Sequence, residues 1–233
     1  MSKQPLLWLL SVLLLVAGCA AAPVPLPTSA PTPLPVPTPT PVPPKQVLLI
    51  AQESSLDMEL MLTKEVGVMV PMLEKAGYKV VTATDSGQLI KVNTGTRPSL
   101  KPDLKLADAK LDDYVGVLLP CMATGKSTVH LAGPPEAVEL VKQAVAKNKV
   151  VAAQDNSVYI LALAGVLKGK QYAVYDGNTY EKVPEAIYKG TGVVQDGNLI
   201  TSGKCPMVAV VHQVPDTTVD VTLKFIEALA ASR

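Results

Sequence analysis

Aromatic residues are scarce: the 233-residue chain has one Phe, one Trp and seven Tyr. That leaves no stacking platform for nucleic-acid bases. Charge is sparse and balanced, with 21 Lys and Arg against 20 Asp and Glu and a formal net charge of +1. The chain therefore lacks the basic surface of a nucleic-acid or polyanion binder. Histidine is limited to His130 and His212, and cysteine to Cys19, Cys121 and Cys205. Cys121, Cys205 and one His could ligate a metal, but no ligand-spacing motif joins them. Neither a metal nor a cofactor is expected. What the chain has in quantity is apolar residues, 48%, enough for a sizeable core.

The first 19 residues stand apart. Lys3 gives a short basic start, Leu6 to Val16 is an apolar run with Ser11 its one polar residue, and Val16-Ala17-Gly18-Cys19 follows. The run is too short to span a bilayer comfortably. The pattern resembles a bacterial lipoprotein signal, whose cleavage leaves a lipidated Cys at the new N-terminus. The resemblance implies an anchor at Cys19 and a cell-membrane location on the extracytoplasmic face. Residues 20–44 are a Pro/Thr-rich spacer, in which proline removes amide donors and prevents helix or sheet. As an extended polyproline-type chain it reaches roughly 70 Å.

Residues 45–233 read as one α/β domain. Apolar strands are expected at 46–51, 78–83, 114–119 and 150–153. Helical patterns fall at 56–76, 135–147, 156–167 and 217–230, the first weakened by Gly67 and Pro71. Asp196-Gly197 marks a hairpin turn. Alternating strands and helices predict a doubly wound, mainly parallel sheet with helices on both faces, of flavodoxin-like type. Ligands in such sheets bind at the carboxyl ends of the strands. The stretch PCMATGKST (120–128) ends like a phosphate loop, but Pro120 stands where the first Gly is needed and Gly133-Pro134-Pro135 cuts the following helix. Lys126 is expected to be a solvated loop charge.

Three stretches resemble the ThiJ/PfpI family within the class I glutamine amidotransferase-like fold: SLKPDLKLADAKLDDYVGVLLP (99–120), KVVAAQDNSVYILALAGVLKGK (149–170) and VVQDGNLITSGKCP (193–206). Their order and spacing cover nearly all of 45–233. The resemblance implies a strand-to-helix elbow carrying a Cys nucleophile, often followed by His, with a Glu from the first helix and a Gly-Gly turn. Here the elbow holds Asp155 and Asn156. The turn keeps Pro120 but has Cys121 and Met122 for its glycines. The helix Glu matches Glu59, or Glu65 when counted back from Gly77; Glu59 is nearer the end of the first strand. The expected pocket is Asp155, Asn156, Glu59, Pro120, Cys121, Met122, Ser202 and Cys205. Family members often dimerise, so a homodimer is one assembly the resemblance implies.

Asp155 has three readings. It can cap the following helix by accepting the Ser157 or Val158 amide. It can share a proton with Glu59, since two close acids do not both ionise easily. It can act as a carboxylate nucleophile. Cys121 and Cys205 fall at the same end of the sheet and could form a disulfide. Alternatively one of them is a relocated nucleophile, activated by Lys204 or a helix N-terminus. With the family Cys and His absent, no catalytic residue is assigned beyond the candidates Asp155 and Glu59. The favoured function is a membrane-anchored module that binds a small ligand or a partner. A hydrolase or lyase using Asp155 and Glu59 is the alternative, and a structural envelope protein the third. Anchoring is tested by fractionation: Cys19→Ser should move the protein from the membrane to the soluble fraction.

Overall fold

The computed structural model describes residues 43–53, 57–91, 99–124, 134–175 and 183–232. The leader, Cys19, the spacer before residue 43, Lys126 and His130 lie outside the described residues. Val42–Arg233 form one compact unit. Its strands, in chain order, are β1 (Gln46–Ile50), β2 (Lys79–Thr84), β3 (Ile90–Lys91), β4 (Ser99–Leu100), β5 (Leu104–Lys105) and β6 (Tyr114–Leu119). They continue with β7 (Val150–Gln154), β8 (Gln171–Tyr172), β9 (Ile187–Tyr188), β10 (Val193–Asp196) and β11 (Leu199–Ser202). Seven of them make one sheet in the order β10-β11-β7-β6-β1-β2-β5. All its pairs are parallel except the β10–β11 hairpin, which turns at Gly197 with φ 65°.

The central strands are buried on both faces, which explains their unbroken apolar runs. In β1, Leu48 and Ile50 enter one core while Val47 and Leu49 enter the other. The first core is closed by α3 (Pro135–Ala146) and α4 (Val158–Leu163), through Ala137, Leu140, Val141, Ile160 and Leu161. The second is closed by α2 (Gly67–Lys75), α5 (Pro206–His212) and α6 (Thr218–Ala231). These are the two faces of the doubly wound sheet expected from the sequence.

The first helical stretch departs from expectation. Its predicted weak points were Gly67 and Pro71. It starts as α1 (Met58–Leu60), passes through a π-type turn at Met61–Val66, and resumes as α2. Gly67 donates its N–H to the Leu62 carbonyl five residues back. A Cβ on Gly67 would sit 2.7 Å from that carbonyl oxygen, so only Gly allows the wide turn to close here. Pro71 does not break the helix. It lies on the exposed side, where the carbonyl it leaves unpaired can face water. Elsewhere the boundaries agree with expectation within a few residues. The predicted helix at 156–167 is shorter: a 3-10 turn at Asp155–Ser157 precedes α4.

The chain's one Phe, Phe225 on α6, is fully buried against the sheet. Phe225→Ala should therefore lower stability by about 3–5 kcal/mol, read as the loss in unfolding free energy by urea denaturation. A loss well below that range would mean that α6 is not a structural layer of the core.

Candidate functional site

β6, β7 and β11 are neighbours, parallel, and end on the same side of the sheet. Cys121, Asp155 and Cys205 each lie just beyond one of those ends. The sequence gaps between them are long, but the register of three strands closes the distance. The Cys121 thiol donates to Oδ2 of Asp155 at 3.4 Å, and the Cys205 thiol donates to the same oxygen at 3.2 Å. Both cysteines are free thiols, and the two sulfurs and the carboxylate oxygen lie within 4.8 Å of one another.

Asp155 sits at the elbow with φ 49°. That left-handed backbone is uncommon outside Gly, and Asp tolerates it better than most residues. The corner is held from beneath by Ser157. Its hydroxyl donates to the Leu119 carbonyl at 2.6 Å and accepts the Gln154 amide at 3.0 Å. The helix-cap reading of Asp155 is corrected here. No side chain caps the turn from that position; the carboxylate points at the two thiols. Its second oxygen, Oδ1, is buried and without a hydrogen-bond partner among the described residues.

Cys205 is held in place by its neighbours. Gln154, fully buried, donates from Nε2 to the Lys204 carbonyl at 3.0 Å and to the Thr218 hydroxyl at 3.1 Å. The Thr217 amide also donates to the Lys204 carbonyl, at 2.8 Å. Gly203 lets this loop pass close to the segment that follows β8: a Cβ there would lie 2.4 Å from the Val174 carbonyl carbon.

The acid that joins the site is Glu65, not Glu59. Glu65 is fully buried in the π-type turn. Its Oε1 accepts the Cys121 amide at 2.7 Å and its Oε2 the Met122 amide at 3.4 Å. Glu59 is half-buried on α1, a segment with no fully buried residue. Closeness in sequence to the end of β1 was the wrong guide. The side of the helix that faces the site is set by the π-type turn, and its buried residues are Met61, Leu62, Glu65 and Val66. The remaining expected pocket residues are at the same end of the sheet. Pro120, Met122 and Ser202 are buried and Asn156 is half-buried. Ser202 Oγ, like Asp155 Oδ1, has no partner among the described residues. His212 ends α5 and its ring lies against Tyr175 at a centroid distance of 4.7 Å. Gln154 and Ser157 were not anticipated; a polar residue closing an apolar strand, and a Ser three positions on, were the available signals.

Burial sets the protonation of the cluster. It raises the pKa of Asp155, against the lowering effect of the Cys205 and Cys121 thiols and of the Tyr175 and Asn156 amides. Cys121 is pushed well above an ordinary thiol, by its hydrogen bond with Cys205 first and by burial second. For Cys205 the same bond acts downward, but burial and the charges of Asp155 and Glu65 outweigh it and leave the thiol raised. Glu65 is raised to about 8 by burial, against the two amides, with Asp155 and Asp216 adding to the rise. The site is a set of buried groups held toward their neutral forms.

A mainly parallel sheet with helices on both faces places the domain in the flavodoxin-like class, in which ligands sit at strand ends. Within that class, residues 45–210 match the model of the DJ-1/PfpI family, and the chain belongs to it. An uncharacterized protein of Archaeoglobus fulgidus is 31% identical over 161 residues, covering 67% of this chain and 88% of its own. An uncharacterized protein of Methanocaldococcus jannaschii is 36% identical over 135 residues, and the chain spans 63% of its length. The Arabidopsis thaliana DJ-1 protein homolog E is 36% identical over 108 residues, a quarter (25%) of that protein. Among solved structures, a ThiJ/PfpI domain protein from Brachyspira murdochii superposes with a TM-score of 0.61 at 17% identity, covering 80% of this chain and 96% of that one. Drosophila melanogaster DJ-1beta gives 0.54 at 22%, covering 81% and 97%. At those identities the structures show a shared fold.

The raised Glu65 has a consequence for stability. Below its unfolded value near 4.5 both states hold the proton; from there up to about 8 the folded chain keeps a proton that the unfolded chain releases. Stability should fall as pH rises through that window, by at most about 1.4 kcal/mol per pH unit from this group. Glu65→Gln should flatten the fall. Urea midpoints across the window test this, and an unchanged slope in the variant would remove Glu65 as its source.

Proposed function

We propose that this DJ-1/PfpI domain is a membrane-anchored, extracytoplasmic binding module, without the thiol chemistry that the family elbow implies. The observation that carries the reading is the carboxylate of Asp155 at the elbow, 4% exposed, with two buried thiols on one oxygen and the other oxygen without a partner among the described residues. A nucleophile needs an ionised, reachable form. Both thiols are raised and buried, and the carboxylate is engaged. A buried acceptor without a donor is costly, and a bound ligand that supplies positive charge or a donor would remove that cost. The anchor is supported by the lipobox-like Val16-Ala17-Gly18-Cys19 alone.

One observation favours a second reading. Glu65, raised to about 8 and coupled to Asp155, has the character of a general acid or base near neutral pH. On that reading the chain is a hydrolase or lyase whose carboxylate pair is Asp155 with Glu65, in place of Glu59.

The two separate by turnover. The full chain and its Asp155→Asn variant, both in detergent, are assayed against esters, peptides and small dicarbonyls, and screened for ligands by the shift in Tm. The binding module predicts Tm shifts with wild-type protein and no turnover by either. Turnover that disappears in Asp155→Asn would replace the binding reading with the enzyme.

A further inference from the structure

We propose that Cys121, Cys205 and Asp155 form a binding site for a thiophilic divalent metal ion, with zinc the best match. The proposal rests on the binding-module reading and names the class of its ligand. Three observations carry it.

The first is geometry. The three donor atoms come from the ends of three adjacent strands and lie within 4.8 Å of one another. Around a tetrahedral zinc, bond lengths of about 2.3 Å to sulfur and about 2.0 Å to oxygen place sulfur and oxygen about 3.5 Å apart. The observed separations from Asp155 Oδ2 are 3.4 and 3.2 Å. Two sulfurs on one zinc would be about 3.8 Å apart, within the 4.8 Å that bounds the cluster. An ion therefore needs only side-chain adjustments of a few tenths of an ångström to about 1 Å.

The second is satisfaction. Among the described residues, the hydrogen bonds that Asp155 Oδ2 accepts come from S–H groups, which are weak donors, with some further support for the charged form from the Tyr175 and Asn156 amides. Oδ1 is buried with no partner among the described residues. A buried carboxylate so poorly compensated points to a missing positive charge. The third is support from behind the donors. The Glu65 carboxylate fixes the Cys121 amide, and Gln154 with Thr217 fixes the Lys204 carbonyl beside Cys205. Metal ligands are commonly oriented by such outer contacts.

Binding forms two metal–sulfur bonds and one metal–oxygen bond in place of three metal–water bonds of the hydrated ion. The two S–H protons, and the carboxyl proton when Asp155 carries one, leave to solvent, and no electrons are transferred. Two thiolates select against magnesium and calcium, which take oxygen ligands. Three protein donors leave a fourth position for water or a second ligand. An external oxidant that takes two electrons and two protons from the pair would instead join Cys121 to Cys205 as a disulfide and remove both sulfur donors.

The test uses the full chain in detergent, reduced, stripped with a chelator and titrated with cobalt(II) and then zinc. The expected result is about one ion per chain, with the thiolate-to-cobalt charge-transfer band and the strong visible bands of a tetrahedral site, both lost as zinc displaces cobalt. Cys121→Ser, Cys205→Ser and Asp155→Asn should each weaken binding by more than about 100-fold, beyond the 10–100-fold typical of outer contacts. Glu65→Gln should stay within that smaller range. The wild-type cobalt spectrum needs no variant to fold, so it decides alone if the substitutions unfold the chain. Absence of thiolate–cobalt bands in reduced wild-type protein overturns the proposal, as does zinc binding that survives loss of both cysteines. If zinc fails while an organic ligand still shifts Tm, the binding module stands and only the metal is lost. If the zinc-loaded chain turns over a substrate, the metal stands and the binding reading is lost.

Discussion

The site turns on one oxygen atom. Asp155 Oδ2 receives both buried thiols of the domain, and contacts from Ser157, Gln154 and Glu65 hold the three segments that converge there. In a low-dielectric interior a carboxylate with weak donors is held toward its neutral form, and each thiol likewise. On the proposed binding reading, the same two properties, desolvation and incomplete satisfaction, are what a cation or donor that fits would relieve.

The convergence depends on the sheet and on two irregularities outside it. Parallel registry brings the ends of β6, β7 and β11 side by side. A positive φ then turns the Asp155 side chain off the strand line, and the Ser157 hydroxyl ties that corner to the end of β6. On the far side, the π-type turn permitted by Gly67 presents Glu65 to the amides of Cys121 and Met122. Those amides belong to the segment where the family pattern has two glycines. The family fold is thus present with an Asp at its elbow, and function in such folds resides in a few side chains on a common scaffold.

The sequence was legible where a local pattern has a local cause. Apolar runs of five or six residues became strands because the central strands are buried on both faces. The Asp196-Gly197 turn became a hairpin because Gly197 supplies the positive φ. The elbow at Asp155 was visible as an apolar strand running directly into a helix pattern. Gln154 and Ser157 were passed over because their roles lie in contacts 50 and 38 residues away. Glu59 was preferred to Glu65 because it lies nearer in sequence to the end of β1, and that nearness cannot register a π-type turn, which rotates every later side chain around the helix axis.

By itself the sequence determined the fold class and the family, because periodicity, turn residues and motif order are all written in consecutive positions. Only the tertiary structure decided which acid meets the site, that Asp155 serves the thiols and not the helix, and that Cys121 and Cys205 share one oxygen. Those facts depend on angstrom-scale distances between strand ends, and such distances are set by sheet registry and helix phase, which no single stretch of the chain encodes.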